Sequence, residues 1–364
     1  MEQNIEKINK VEETIQKINN KESNIYFFVI DSKGNPNGEV KYMYDIALNL
    51  LEDGYNVTML HQEDEFIGPN EWLGERYEKL PHKKVGEDNV SMSACDFLFI
   101  PEVYSNVISQ TKKLPCRRIV LYYNPEYLLE FIPVGVTWGD MGVFDAITTN
   151  TTLLNEIKSY FPNVKSRIVR PSVRDCFSTN DAPKKLIVNL LTQTSTEVNH
   201  IVKPFYWKYP MYKWVSFRDL KGIPQLELSD VMREGAISVW VDDDTKNAQI
   251  ALEALKSGSI LIAKIPKMVP EWMIENNDLR KDIIWVDSYE MLYDVLSSVI
   301  RGWTRDDIIS NFTTVHEKLE NVFSPSAQKV DITREVVNGI IADTVKSYQQ
   351  ILSSLKNNEK KNNE

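Results

Sequence analysis

The chain has 364 residues, and its 42 Lys plus Arg against 52 Asp plus Glu give a net charge of −10. With 42% apolar and 26% charged residues, the composition is that of a globular protein with a sizeable core; it excludes general disorder, and the length suggests two domains. The acidity disfavours a general affinity for nucleic acid or anionic lipid, the scattered Cys95, Cys116 and Cys176 exclude a disulfide framework, and with no apolar run near the roughly 20 residues of a membrane span and no signal peptide, a cytoplasmic protein is expected.

Residues 1–22 predict an N-terminal helix, because Ile5, Ile8, Val11, Ile15 and Ile18 repeat at threes and fours. Its narrow seam reads as docking on the body of the protein, with self-association through a short coiled coil as the alternative. Ile25 to Ile30 is a continuous apolar run, as in a parallel strand buried on both faces. Gly34, Pro36, Asn37 and Gly38 supply turn chemistry. Helical spacing follows from Val40 to Glu52, Gly54 stops it, and Asn56 to Leu60 is the next strand. That is the repeating unit of a doubly wound α/β sheet. Strands at 96–100, 118–122, 144–148 and 166–169, with a helix at 152–160, complete a first domain over 23–175. Residues 175–185 read as a linker. A second series occupies 186–303, with strands at 186–191, 214–217, 236–241, 260–263 and 283–286 and helices at 227–234, 247–257 and 288–300. Only helices follow, over 304–355, and 356–364 reads as a solvated, disordered tail.

Four segments carry a family resemblance. Pro36 to Val40, continuing through Ala47, Leu50, Gly54, Asn56 and Val57, has the glycine loop and helix that open the retaining enzymes known as glycosyl transferases group 1. Phe144 to Asn150 is similar to that family's last N-domain strand, and Ile168 to Val173 with Phe177 to its exit toward the linker. Ala251-Leu252-Glu253-Ala254-Leu255-Lys256-Ser257-Gly258, running on to Ala263, resembles its donor-site segment. The resemblance implies the GT-B architecture: two Rossmann-like doubly wound domains facing a cleft, with C-terminal helices packing back across them. It implies sugar transfer from a nucleotide-sugar cosubstrate, such as a UDP-sugar, with retention at the anomeric carbon and no metal requirement. The acceptor stays open between a glycan, a small molecule and DNA. A phage-type DNA glucosyltransferase acting on hydroxymethylated bases is one alternative; a sugar-nucleotide epimerase or a catalytically degenerate nucleotide-sugar binder is another.

Gly38 stands where a strand hands over to a helix N-terminus, which suits an anion unless it is an ordinary turn glycine. Glu253 can accept hydrogen bonds from the paired hydroxyls of a ribose; the bland alternative is a solvated glutamate favoured by the helix dipole. The chain also departs from the family. Thr245 replaces a glutamate that faces the sugar, Tyr123 and Asn124 stand where a histidine is common, and Glu39 replaces the loop's second glycine. The loop after Leu191 offers Thr192, Gln193, Thr194 and Ser195 and no arginine. Lys203, Arg170 and Lys246 are the cations left to offset the charge on a departing diphosphate. The donor site is thus expected at Glu253, Thr245, Lys203, Thr192, Arg170 and Gly38, and the acceptor at Tyr123 and Asn124 with the loops after Leu60, Ile100 and Tyr122. Either the donor contacts are redistributed, or catalysis is reduced, or the protein binds without transfer.

Asp242, Asp243 and Asp244 read as a charge cluster at a helix start, with cation ligation as the alternative. Between Lys203 and Arg218, lysines interleave with six aromatic residues; they read as domain core, or as a surface that stacks bases and neutralises phosphates. His61, His82, His200 and His316 show no metal-ligand spacing.

Overall fold

A computed structural model describes residues 2–87, 90–179, 182–192, 194–242, 248–266, 270, 272–273, 282–303 and 319–363. The chain divides into two compact units. Unit 1 is Met1–Asn70, Glu75–Arg170 and Lys329–Glu364; unit 2 is Glu71–Gly74 and Pro171–Gln328.

Unit 1 is built on seven parallel strands: β1 (Asn24–Phe28), β2 (Asn56–His61), β3 (His82–Lys84), β4 (Phe97–Pro101), β5 (Arg117–Tyr122), β6 (Asp145–Thr148) and β7 (Lys165–Ile168). Their order in the sheet is β3-β2-β1-β4-β5-β6-β7. The chain thus moves outward from β1 to β3, then returns to the other side of β1, which puts the topological switch point between β1 and β4. Helices α1 (Glu2–Asn19), α2 (Gly38–Glu52), α4 (Ser105–Gln110), α5 (Pro125–Phe131) and α6 (Thr151–Tyr160) connect or cover these strands, and the single turn α3 (Asn70–Leu73) between β2 and β3 falls in unit 2 from Glu71 on. Central strands β1 and β4 are apolar on both faces, as helices on both sides of a sheet require.

In unit 2, five parallel strands are ordered β12-β11-β10-β8-β9: β8 (Lys185–Leu191), β9 (Ser216–Asp219), β10 (Gly235–Trp240), β11 (Ile260–Lys264) and β12 (Ile283–Val286). Its switch point lies between β8 and β10, where Leu191 pairs with Trp240. Helices α7 (Ser195–Lys208), α8 (Gln225–Glu234), α9 (Gln249–Lys256) and α10 (Tyr289–Gly302) pack on the sheet. The core forms two apolar layers, one around Leu252, Leu255 and Met273 and one around Ile201, Phe205 and Leu296.

The chain ends with α11 (Pro325–Ile332), a π-helical stretch (Thr333–Ile341) and α12 (Ala342–Asn363). Buried Asp145 accepts from Arg117 Nε at 2.8 Å and from an Arg167 terminal nitrogen at 3.0 Å; the other end of Arg167 donates to Asp343 of α12 at 2.8 Å. Ile8 and Ile18 of α1 are buried, α1 packs on α12, and Lys356 pairs with Glu12. The apolar seam of α1 is therefore met by the chain's own last helix.

Three expectations change. Residues read as a solvated tail continue α12 to Asn363, a Lys-, Glu- and Asn-rich stretch whose straight-chain residues favour helix. The strand read at 214–217 starts at Ser216, because Trp214 is exposed rather than in the ladder. The helix α7 fills a stretch read without one, and residues 304–318, the start of the helices expected over 304–355, lie outside the described residues.

Candidate functional site

At the carboxyl end of β8, the Thr192 hydroxyl is buried with no partner among the described residues. Buried Asp242 follows β10, and α9 begins beyond it. Ala248, the residue before α9, has a φ of 46°, uncommon for a residue with a Cβ. Glu253 is 5% exposed, so it is not a solvated glutamate. Its Oε1 accepts from Gln225 Nε2 at 3.3 Å, and the Gln225 carbonyl accepts from Arg174 at 2.5 Å. Arg174 thereby turns the Gln225 amide so that its N–H faces the carboxylate. Both ends of α9 are tied to the segment that enters unit 2: Gln249 donates to Ser172 O at 3.0 Å, and the buried Lys256 ammonium donates to Val173 O and Asp175 and pairs with Glu320 at 2.7 Å. A carboxylate held this way is pre-oriented to accept hydrogen bonds from a ligand.

Unit 1 presents a different chemistry at its own switch point. The Asn37 side chain caps α2 by accepting from the N–H groups of Glu39 and Val40 at 2.9 and 3.1 Å. This brings Glu39 against Glu102, the residue after β4, and the two buried carboxyls stand within hydrogen-bonding reach of each other. Burial, then the facing Glu102 charge, raises Glu39 well above the usual carboxyl range. Burial raises Glu102 to about 7, against backbone hydrogen bonds that pull it down. Those bonds come from the N–H groups of Tyr123 and Asn124, which donate to Glu102 Oε1 at 3.0 and 2.5 Å. The Asn124 side chain in turn caps α5 by accepting from Glu126 N at 3.0 Å. Around the pair, burial raises the Tyr104 phenol to about 12, helped by Glu63, Glu39 and Asp31. Burial also raises Tyr127, helped by Glu39, Glu102 and Glu126.

The chain thus has two parallel doubly wound sheets, each with buried polar side chains at its switch point. No family model and no curated protein matches the chain. Solved structures do match. A sucrose-phosphate synthase of Thermosynechococcus elongatus superposes with a TM-score of 0.62 at 9% identity, over 88% of this chain and all of that one. The Anabaena HepE protein, solved with UDP and glucose, gives 0.59 at 10% identity over 87% of this chain and all of that one. An alpha-glucosyltransferase solved with UDP-glucose and DNA containing an abasic site gives 0.56 at 12%, covering 85% and 99%. The chain has the GT-B fold. In this fold each unit is one of the two Rossmann-like halves, and C-terminal residues 329–364 return to the first half.

Within the GT-B halves, the residues expected at the site separate. Glu253 and Thr192 belong to unit 2, Thr192 at the end of β8 and Glu253 on the helix that follows β10. Lys203 is exposed on α7, eight residues beyond its first, about 12 Å along the helix axis at 1.5 Å per residue. Arg170 belongs to unit 1, where its guanidinium pairs with Asp331 at 3.1 Å. Gly38 opens α2, and the N–H groups just beyond it already donate to Asn37. Tyr123 and Asn124 lie together against Glu102. Thr245, Asp243, Asp244, Lys246 and Gln193 lie outside the described residues. Of the aromatic stretch, Phe205 is buried and stacks near Tyr212, whereas Trp207 and Trp214 are 76% and 65% exposed.

Sequence reasoning missed Glu102, Gln225 and Arg174. Glu102 had one signal: an acid directly after the fully apolar strand Phe97–Pro101, at the strand end where doubly wound sheets bind ligands.

Proposed function

We propose that the protein is a glycosyltransferase that moves a sugar from a nucleotide-sugar donor, such as UDP-glucose, to a hydroxyl acceptor with retention at the anomeric carbon. The observation that carries this reading is Glu253: a buried carboxylate on the helix after β10, held by Gln225, in a chain with the GT-B fold. In this reading Glu253 accepts hydrogen bonds from the nucleotide ribose. The Thr192 hydroxyl and the N-terminal end of α7 take the donor phosphates, where the helix dipole favours negative charge. Neighbours in the same fold were solved with UDP and glucose or with UDP-glucose, which supports this donor class.

A thermal-shift panel of nucleotide sugars tests the reading without knowledge of the acceptor. A donor at 100 times its Kd adds about 2.7 kcal/mol of apparent stability, which is a shift of several degrees. A panel in which no nucleotide sugar moves the transition refutes the reading. A DNA acceptor is the second reading. It is favoured by exposed Trp207 and Trp214 beside Lys203 and Lys213, and by the alpha-glucosyltransferase solved with DNA. Transfer of labelled sugar to a hydroxymethylated duplex tests it.

A further inference from the structure

The turn α3 stands between β2 and β3 in the chain, yet Glu71–Gly74 belong to unit 2, and the chain rejoins unit 1 at Glu75. Trp72 and Leu73 are 4% and 0% exposed, so two buried apolar side chains anchor the turn. Gly74 ends it with a φ of 102°, where a residue with a side chain is disfavoured. Because the peptide is planar, the φ of Gly74 helps set the direction of the Leu73 carbonyl. That carbonyl accepts from an Arg174 terminal nitrogen at 2.7 Å.

The same Arg174 nitrogen also donates to Gln225 Oε1, at 2.5 Å. A guanidinium is planar and its N–H directions are fixed relative to one another. Aiming one N–H at the Leu73 carbonyl therefore aims its twin at the Gln225 oxygen. With that oxygen held, Gln225 Nε2 donates to Glu253 Oε1 at 3.3 Å. Without the Arg174 donor, the amide is free to turn its oxygen toward the carboxylate, where two acceptors would face each other. Gln225 and Glu253 are each 5% exposed, so bulk water is a poor substitute for the lost donor.

We infer that residues 71–74 are a positioning element for the Glu253 carboxylate, acting from the Leu73 carbonyl through Arg174 and Gln225. The ligand site of unit 2 is then completed by four residues that the chain inserts between two strands of unit 1. That Glu253 meets a nucleotide sugar rests on the proposed transfer reaction; the hold on its carboxylate does not.

Gly74→Ala perturbs the turn most specifically. A Cβ at position 74 meets Leu226 Cδ1 at 3.8 Å, an ordinary contact, so the change acts through φ on the Leu73 carbonyl. Leu73→Ala, which empties a buried site, is the second variant. Leu292→Ala, in the apolar layer around Ile201 and Phe205, controls for general loosening of unit 2. The first readout needs no ligand: the side-chain amide signals of Gln225 in the full chain labelled with nitrogen-15, identified by their loss in Gln225→Leu. Both turn variants are expected to shift these signals, and Leu292→Ala to leave them in place. The second readout is calorimetric titration with UDP-glucose. The turn variants are expected to bind about threefold or more weakly, and in the Gln225→Leu background Gly74→Ala is expected to cost nothing further. Unmoved Gln225 signals in both turn variants overturn the inference, as does an equal shift in Leu292→Ala or an undiminished loss of affinity in the Gln225→Leu background. Shifted Gln225 signals in a protein whose wild type binds no nucleotide sugar contradict the donor reading alone and leave the hold on Glu253 standing.

Discussion

Glu102→Gln removes the buried acid of unit 1 that burial holds protonated toward neutrality. Glu102, fully buried, is raised from the ordinary 4.5 to about 7. Between those values the folded state binds more protons than the unfolded chain, so stability falls as pH rises through this window. The shift integrates to about 3 kcal/mol, fully present below pH 4.5 and lost above pH 7. Glutamine at position 102 does not ionise, so the part of the pH dependence that burial of this acid creates disappears, while its side-chain oxygen can still accept from the Tyr123 and Asn124 N–H groups. The assay is hydrogen exchange of the β4 amides, residues 97–101, in wild type and Glu102→Gln at pH 5 and pH 8, corrected for intrinsic exchange. Wild type is expected to lose most of the 3 kcal/mol across that interval, and the variant much less. The same pH slope in both proteins would refute burial of Glu102 as the source of the pH dependence.

Other outcomes follow from the packing. Asp145→Asn leaves Arg117 and Arg167 without their buried counter-charge, and urea unfolding of unit 1 should show a loss of about 3 kcal/mol, with α12 loosened because Arg167 also holds Asp343. Gly235→Ala places a Cβ 2.4 Å from the Asn189 amide nitrogen in a buried strand pair; a loss of about 1–3 kcal/mol is expected, read as a lower thermal midpoint for unit 2. Trp207→Ala with Trp214→Ala removes only exposed surface, so stability should stay within about 0.5 kcal/mol, and any loss of ligand affinity in that variant marks the surface as functional.

Legibility differed by element for physical reasons. Strands such as Phe97–Pro101 and Gly235–Trp240 are buried on both faces, so an unbroken apolar run announces them. The edge strand His82–Lys84 is half-exposed and basic, which leaves no apolar signal. The aromatic crowding of Phe205, Tyr206 and Trp207 and the internal Pro204 hid helix α7, although its Thr194–Glu197 capping box stands in the sequence. Glu253 could be found because its helix resembles a known donor-site segment. Its orienting partners Gln225 and Arg174 could not, since only the folded chain brings α8 and the entry to unit 2 beside it. Glu39 and Glu102 lie far apart in sequence and become a pair only through the order of strands β1 and β4. Arg170 and Lys203 were candidates on charge and proximity in sequence, and neither property says which way a side chain leaves its backbone.

Calorimetric titration of UDP-glucose into wild type, Glu253→Gln and Glu253→Ala tests the donor site most directly. Wild type is expected to bind, and both variants, folded by circular dichroism, to bind at least about tenfold more weakly, as loss of a hydrogen bond to a charged group implies. Equal affinity in all three proteins, or no binding by wild type of this or any other nucleotide sugar, would contradict the placement of the donor at Glu253.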